Sequence, residues 1–246
     1  MTRDEALELY HPIRASVRRI LSAAVPVCNR SDLMRAGKLL GLWADGQIAL
    51  PEGAEAAEML GDIALFEPNQ RGRRAYDVFL SDKAQQLDSA DFQVAQLMGK
   101  AFFSLFRCTT PHEIAGVWLE DLLDGDRSLW LMDESMEASL PIEHAFGMRV
   151  FDAGAFHVGF GIVVPSDDET TQFSIQGVTR NGRTPFRHSL AVTLYGDSLR
   201  DSVPLSPELE DAFTSLLAAA IDSRPGSRPV IGVQSKPKGS RSRKRK

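Results

Sequence analysis

Cysteine is scarce in this chain. There are two in 246 residues, Cys28 and Cys108, and no C-x-x-C pair. That removes zinc ribbons and thioredoxin-type redox sites from consideration. Both cysteines sit among apolar neighbours, so buried free thiols in a reducing compartment are expected. Long apolar runs are missing too. Nothing approaches the roughly 18 residues that cross a bilayer, and no membrane association is expected. The opening MTRDEALELY places Asp4, Glu5 and Glu8 where a signal peptide carries its apolar stretch. No secretory leader is therefore expected, and the Asn29-Arg30-Ser31 sequon carries no meaning without one. A cytoplasmic protein is the expectation.

The local signatures of catalysis are likewise absent. There is no H-E-x-x-H, no G-x-S-x-G, no G-x-x-x-x-G-K-[ST] and no Cys/His nucleophile pair. Gly159-Phe160-Gly161 begins like a dinucleotide fingerprint. Its third glycine is missing, and IVVPSDD leads into a polar loop rather than a helix.

What the chain does have is a charge split. The last twelve residues, SKPKGSRSRKRK, hold seven cations and no acid: Lys236, Lys238, Arg241, Arg243, Lys244, Arg245 and Lys246. Without them, 21 Lys and Arg face 33 Asp and Glu, so the body carries −12. So acidic a body repels nucleic acid. A basic run beyond it is an electrostatic arm whose commonest specific partner is nucleic acid.

Hydrophobic residues at 43% and charged residues at 25% are ordinary for a globular protein. The periodicity divides the chain in two. Residues 4–24, 31–43, 52–66, 72–80 and 88–99 repeat apolar positions near a 3.6 period, which predicts five helices. Pro12 marks a start or a kink in the first. Ser31 is the expected cap of the second, and Asp45-Gly46 its stop. From Lys100 the pattern becomes aromatic and β-prone, with four or five short strands predicted between 101 and 164. PSDDETT at 165–171 reads as a polar loop. FSIQGVTR, the hairpin signal Asn181-Gly182 and SLAVTLYGD read as further strands. Ser206-Pro207-Glu208 opens a last helix reaching about Ile221. The fold class is therefore α+β: a helical domain at 1–99, a small antiparallel β-barrel-like domain with a C-terminal helix at 100–222, and a disordered basic tail at 223–246.

Three local clusters carry chemistry worth weighing. Glu120, Asp121, Asp124 and Asp126 gather at a turn, with His144, His157 and Glu143 on later strands. Such a set could serve a metal-dependent enzyme. Strand alternation sets Glu120 and Asp121 on opposite faces, however, and three or four convergent ligands are required. Turn chemistry is favoured, and no metal or other cofactor is expected. Arg71, Arg73 and Arg74 open a helix against its dipole, which favours pairing with body acids. The aromatics of the β region interleave with acids more than with cations, which favours core over base stacking.

Two stretches resemble uncharacterised alphaproteobacterial proteins. RSDLMRAGKLLGLW…EMLGDIALFEPNQRGRRAYDVFL is similar to their helical N-terminal part. AFFSLFRCTTPHEIAGVWLEDLLDGDRSLWLMDESMEAS…FGMRVFDAGAFHVGFGIVVP is similar to their small β-barrel, a module also met in some bacterial proteins with a SEC-C zinc motif. The recurrent form G-[VL]-x-L-x-D-L-L-x-G is matched by Gly116, Val117, Leu119, Asp121, Leu122, Leu123 and Gly125. The resemblance spans Ser31 to Pro165 and implies a fold, with no activity attached. The zinc motif itself is absent. The function expected is that of a non-enzymatic adaptor or regulator. Its acidic body meets a protein partner, and its tail meets nucleic acid or the ribosome.

Overall fold

The computed structural model describes residues 1–51, 54–125, 127–139, 144–181 and 183–202. The expected helix at 206–221 and the tail lie outside them.

Helix α1 (Arg3–Ala24) starts at a capping box, where Thr2 Oγ1 accepts from the Glu5 amide and Glu5 accepts from the Thr2 amide. It runs through Pro12, which stands on the exposed side. Tyr10, Val17, Ile20 and Ala24 hold its other face in the core. Helix α2 (Arg30–Leu39) is capped by Asn29, not Ser31. Asn29 Oδ1 accepts from the amides of Ser31 at 2.8 Å and Asp32 at 3.1 Å. Asp45-Gly46 does not stop this helix. With φ values of 51° and 79° the pair turns a short hairpin between β1 (Trp43–Ala44) and β2 (Gln47–Ile48). Positive φ at both central residues is the geometry such hairpins need. Helices α3 (Ala54–Phe66), α4 (Ala75–Asp82) and α5 (Ser89–Met98) follow.

Strands β3 (Phe102–Pro111), β4 (Val117–Asp121) and β5 (Arg127–Leu131), helix α6 (Glu134–Ser139), and strands β6 (Ala145–Asp152) and β7 (His157–Ser166) build the sheet. Its order is β3-β4-β5-β7-β6, with β6 returning to β3. All neighbours are antiparallel except β5 and β7, which meet at one parallel pair, Leu131 and His157. Alternation sends one side chain set inward: Phe106, Val117, Leu119, Leu129, Phe146 and Met148 belong to one buried cluster. The other face, with Phe103, Leu105, Phe151, Val158 and Phe160, joins the helices in a second cluster.

The strands expected after Pro165 are helices. Helix α7 (Asp168–Asn181) begins where PSDDETT read as a loop, because Asp167 caps it by accepting from the Thr170 amide at 2.6 Å. Helix α8 (Arg183–Ser202) replaces SLAVTLYGD as a strand. Leu190, Ala191, Leu194, Tyr195 and Leu199 are buried at helical spacing. Burying that stripe outweighs the β-propensity of Val192, Thr193 and Tyr195. The change of pattern at Lys100 is a change of secondary structure, not a break in the core. Buried residues of α1, α3, α5, α8 and the outer sheet face form one cluster, and Met1–Val203 is one compact unit.

The motif that carries the resemblance is a folding device. Gly116 has φ 76°, and a Cβ there would lie 2.2 Å from the Leu131 carbonyl oxygen. Val117 and Leu119 point inward, while Leu122 and Leu123 belong to the helix-facing cluster. Asp121 is buried at the bend between them. Its Oδ1 accepts from Ser104 Oγ at 2.6 Å and from the Leu123 amide at 3.1 Å. Gly116→Ala is expected to lower stability by more than about 2 kcal/mol through positive-φ strain and the carbonyl clash. Urea denaturation checks this; an unchanged midpoint would contradict it.

Candidate functional site

Among the described residues, the acids and histidines singled out by sequence do not converge. Asp121 is committed to the bend. Glu120 turns outward and lies 3.7 Å from Arg107, and Asp124 lies 3.7 Å from Arg127. His144 is exposed at the head of β6. His157 is half-buried on β7, and burial lowers its pKa against the pull of Asp152. Asp126, Glu143 and the tail cations lie outside the described residues. Among the described residues no three His, Cys, Asp or Glu side chains gather as a metal site. Of the basic cluster, Arg74 pairs with Asp77 and donates to the Gly99 carbonyl at 2.9 Å, while Arg71 and Arg73 are exposed.

A different constellation, not read from the sequence, lies where the helices cover the sheet. Arg149 stands on the outer face of β6, only 4% exposed. Its Nε and Nη2 donate to Asp62 Oδ1 and Oδ2 of α3, both at 2.8 Å. The guanidinium faces the rings of Phe66 at 4.8 Å and Phe103 at 5.6 Å. Phe103 is its register partner across β3 and β6. Buried Glu67 lies 3.9 Å from Arg149 Nη2. Tyr195 of α8 closes the group, its hydroxyl beside Asp62 and donating to the Ile162 carbonyl at 3.4 Å. Arg149 thus faces two carboxylates in a buried layer, with Arg35 and Arg74 also acting on Glu67. Asp62 takes the fork, and Glu67 is left with a longer contact. Burial therefore dominates at Glu67 and pushes its pKa up to about 7, against Arg149 and with Asp62 adding to the rise. The one sequence signal for this network is a single charge inside an apolar run, as in EMLGDIALF and GMRVFD.

Two concavities meet at α1, and the larger of them reaches the network at Asp62. The larger, about 710 Å³, runs between α1 and α3 over β7, and Asp62 and Gly161 lie in its floor. Val17, Leu21, Val25, Leu65 and Phe160 give it apolar walls. The smaller, about 290 Å³, is bordered by Tyr10, His11, Asp133 and Glu134. His11 Nε2 lies 2.8 Å from Glu134. Arg14 and Arg18 form the wall that the two share.

The chain belongs to a family of unknown function, DUF7986, whose model matches residues 4–181. That span covers α1 through α7 and so includes the ion-pair network up to β6, with Tyr195 beyond it. No curated protein and no solved structure matches the chain.

The Glu67 environment has a measurable consequence. The unfolded chain releases this proton near 4.5, whereas the folded protein holds it to about 7. The stabilisation is complete below the lower value and is lost as pH rises through the upper one, a swing of about 3 kcal/mol. Glu67→Gln keeps the neutral shape and should remove this term. The stability of the variant relative to wild type should rise between pH 5 and pH 8 in urea titrations. A constant difference would contradict the assignment.

Proposed function

We propose that this member of a family without an assigned activity works by binding rather than by turnover. It is a cytoplasmic adaptor or regulatory protein whose folded body makes protein contacts. Its basic run, Lys236 to Lys246, contacts nucleic acid or the ribosome. The charge split carries this reading: seven cations and no acid in the last twelve residues, on a body of −12. An acidic body keeps polyanions off its own surface and leaves the tail as the one place where they are attracted. The bacterial setting implied by the resemblance supports it, since ribosomes and nucleic acid share the cytoplasm there.

The use made of the acids also favours binding. Asp121 is consumed by the bend that follows β4. Asp62 is neutralised by Arg149, and Asp124 lies near Arg127. A metal-dependent enzyme built on Asp124 with His144 or His157 would need those groups released from these roles and brought together.

Nucleic-acid binding by the full chain and by a chain ending at Gln234, across a salt series, tests the proposal. Seven phosphate contacts on duplex DNA give a log–log salt slope of up to about −6. The full chain should show a steep slope of that kind, and truncation at Gln234 should abolish binding. Equal binding by both forms, or none by either at low salt, would sink the tail's role.

A further inference from the structure

Positive charge along the larger groove is confined to one end. Its α1 wall runs from Arg14 to Val25, eleven helical steps or about 16 Å. Arg14 and Arg18 stand at the start of that wall, and Leu21, Val25 and Pro26 at its far end. Arg14 donates through Nη1 to the Gly159 carbonyl at 2.8 Å, which fixes its guanidinium against β7. The rest of that fork, and all of Arg18, make no ion pair or hydrogen bond among the described residues. Four acids lie along the two concavities. Asp62 in the floor is neutralised by Arg149. Glu58 is exposed on the α3 wall, and Asp133 and Glu134 lie across the smaller concavity, with Glu134 engaged by His11.

A groove of about 710 Å³ is within the roughly 300–1,000 Å³ of small-ligand sites, which are mostly apolar with a few placed polar groups. Guanidinium forks match carboxylate and phosphate oxygens in shape as well as charge. The geometry points to a binding site for an amphiphilic acid. Its aliphatic or aromatic body lies along Leu21, Val25, Leu65 and Phe160, and its carboxylate or phosphate is held by Arg14 and Arg18. Positive charge gathered at one end of a mostly apolar slot suits a molecule with an anionic head and an apolar tail. This site lies wholly in the body and does not depend on the tail.

Gly61 supplies the means to test it. It faces the groove from the middle of α3, and a Cβ there would meet only Val25 Cγ2, at 3.8 Å. Gly61→Leu therefore fills the slot while improving helix propensity. The full chain is titrated with decanoate, decyl phosphate and 1-decanol, each below its micellar concentration, by calorimetry and by amide chemical shifts. One saturable site is expected for decanoate or decyl phosphate, and whichever binds more tightly names the head group. The uncharged alcohol should bind at least about tenfold more weakly, as loss of a charge-assisted contact implies. Arg14→Gln with Arg18→Gln should abolish that preference, and Gly61→Leu should abolish binding of all three with an unchanged circular dichroism spectrum. The arginine pair tests the head independently of how Gly61→Leu folds. Equal binding of acid and alcohol by the wild-type chain, binding untouched by both sets of changes, or no saturable binding of any probe would overturn the site.

Discussion

The buried pairing of Arg149 with Asp62 is the constraint around which the helical layer is arranged. An arginine on the outer face of a strand must be solvated or matched, and here the helical layer leaves it only 4% exposed. The desolvation cost is met by a two-point hydrogen-bonded fork and by two aromatic faces. Such a pair adds little net stability over an apolar substitute, but it admits few alternative arrangements. Sliding α3 by one residue would turn Asp62 away and leave a bare cation in a dry layer. The pair thus sets the register of α3 against β6. Tyr195 and the Ile162 carbonyl extend the same lock to α8 and β7. Asp62 and Gly161 form the floor of the larger groove, so the contact that holds α3 on the sheet also holds that floor in place.

The elements legible in the sequence were those with a strong local period. The five N-terminal helices and the five strands stand where spacing put them, within a few residues. Caps were less legible, because Asn29 and Ser31 are both good capping residues and only the backbone path chooses between them. Asp45-Gly46 carries two meanings, helix stop and hairpin turn, and the pairing of Trp43 with Ile48 selected the second. The segment after Pro165 misled because Val, Thr and Tyr favour strands, while its buried stripe keeps the helical period. The network at Arg149 was invisible for a different reason. Its members lie far apart along the chain, and each reads locally as an ordinary polar residue.

The Gly116–Gly125 stretch acquires a physical meaning. Gly116 lets the chain pass close to Leu131, and Asp121 braces the bend where Leu122 and Leu123 leave the sheet interior for the helix-facing cluster. What distinguishes the surface is how charge is distributed on it. An acidic body presents two arginines at one end of an apolar groove, and the body's counter-charge is collected in the last twelve residues. On the readings proposed above, the groove would take a small anionic amphiphile and the tail a polyanion.

The most direct test of the central claim, that one buried ion pair holds the helical layer on the sheet, is a double-mutant cycle. Asp62→Asn, Arg149→Gln and the double variant would be compared with wild type by urea unfolding. Each single change should cost about 3–5 kcal/mol, because it strands a buried charge. The double variant should lose far less than the sum, with a coupling of at least about 2 kcal/mol. Additive losses would mean that the two side chains act independently and that the register of α3 is fixed by apolar packing alone.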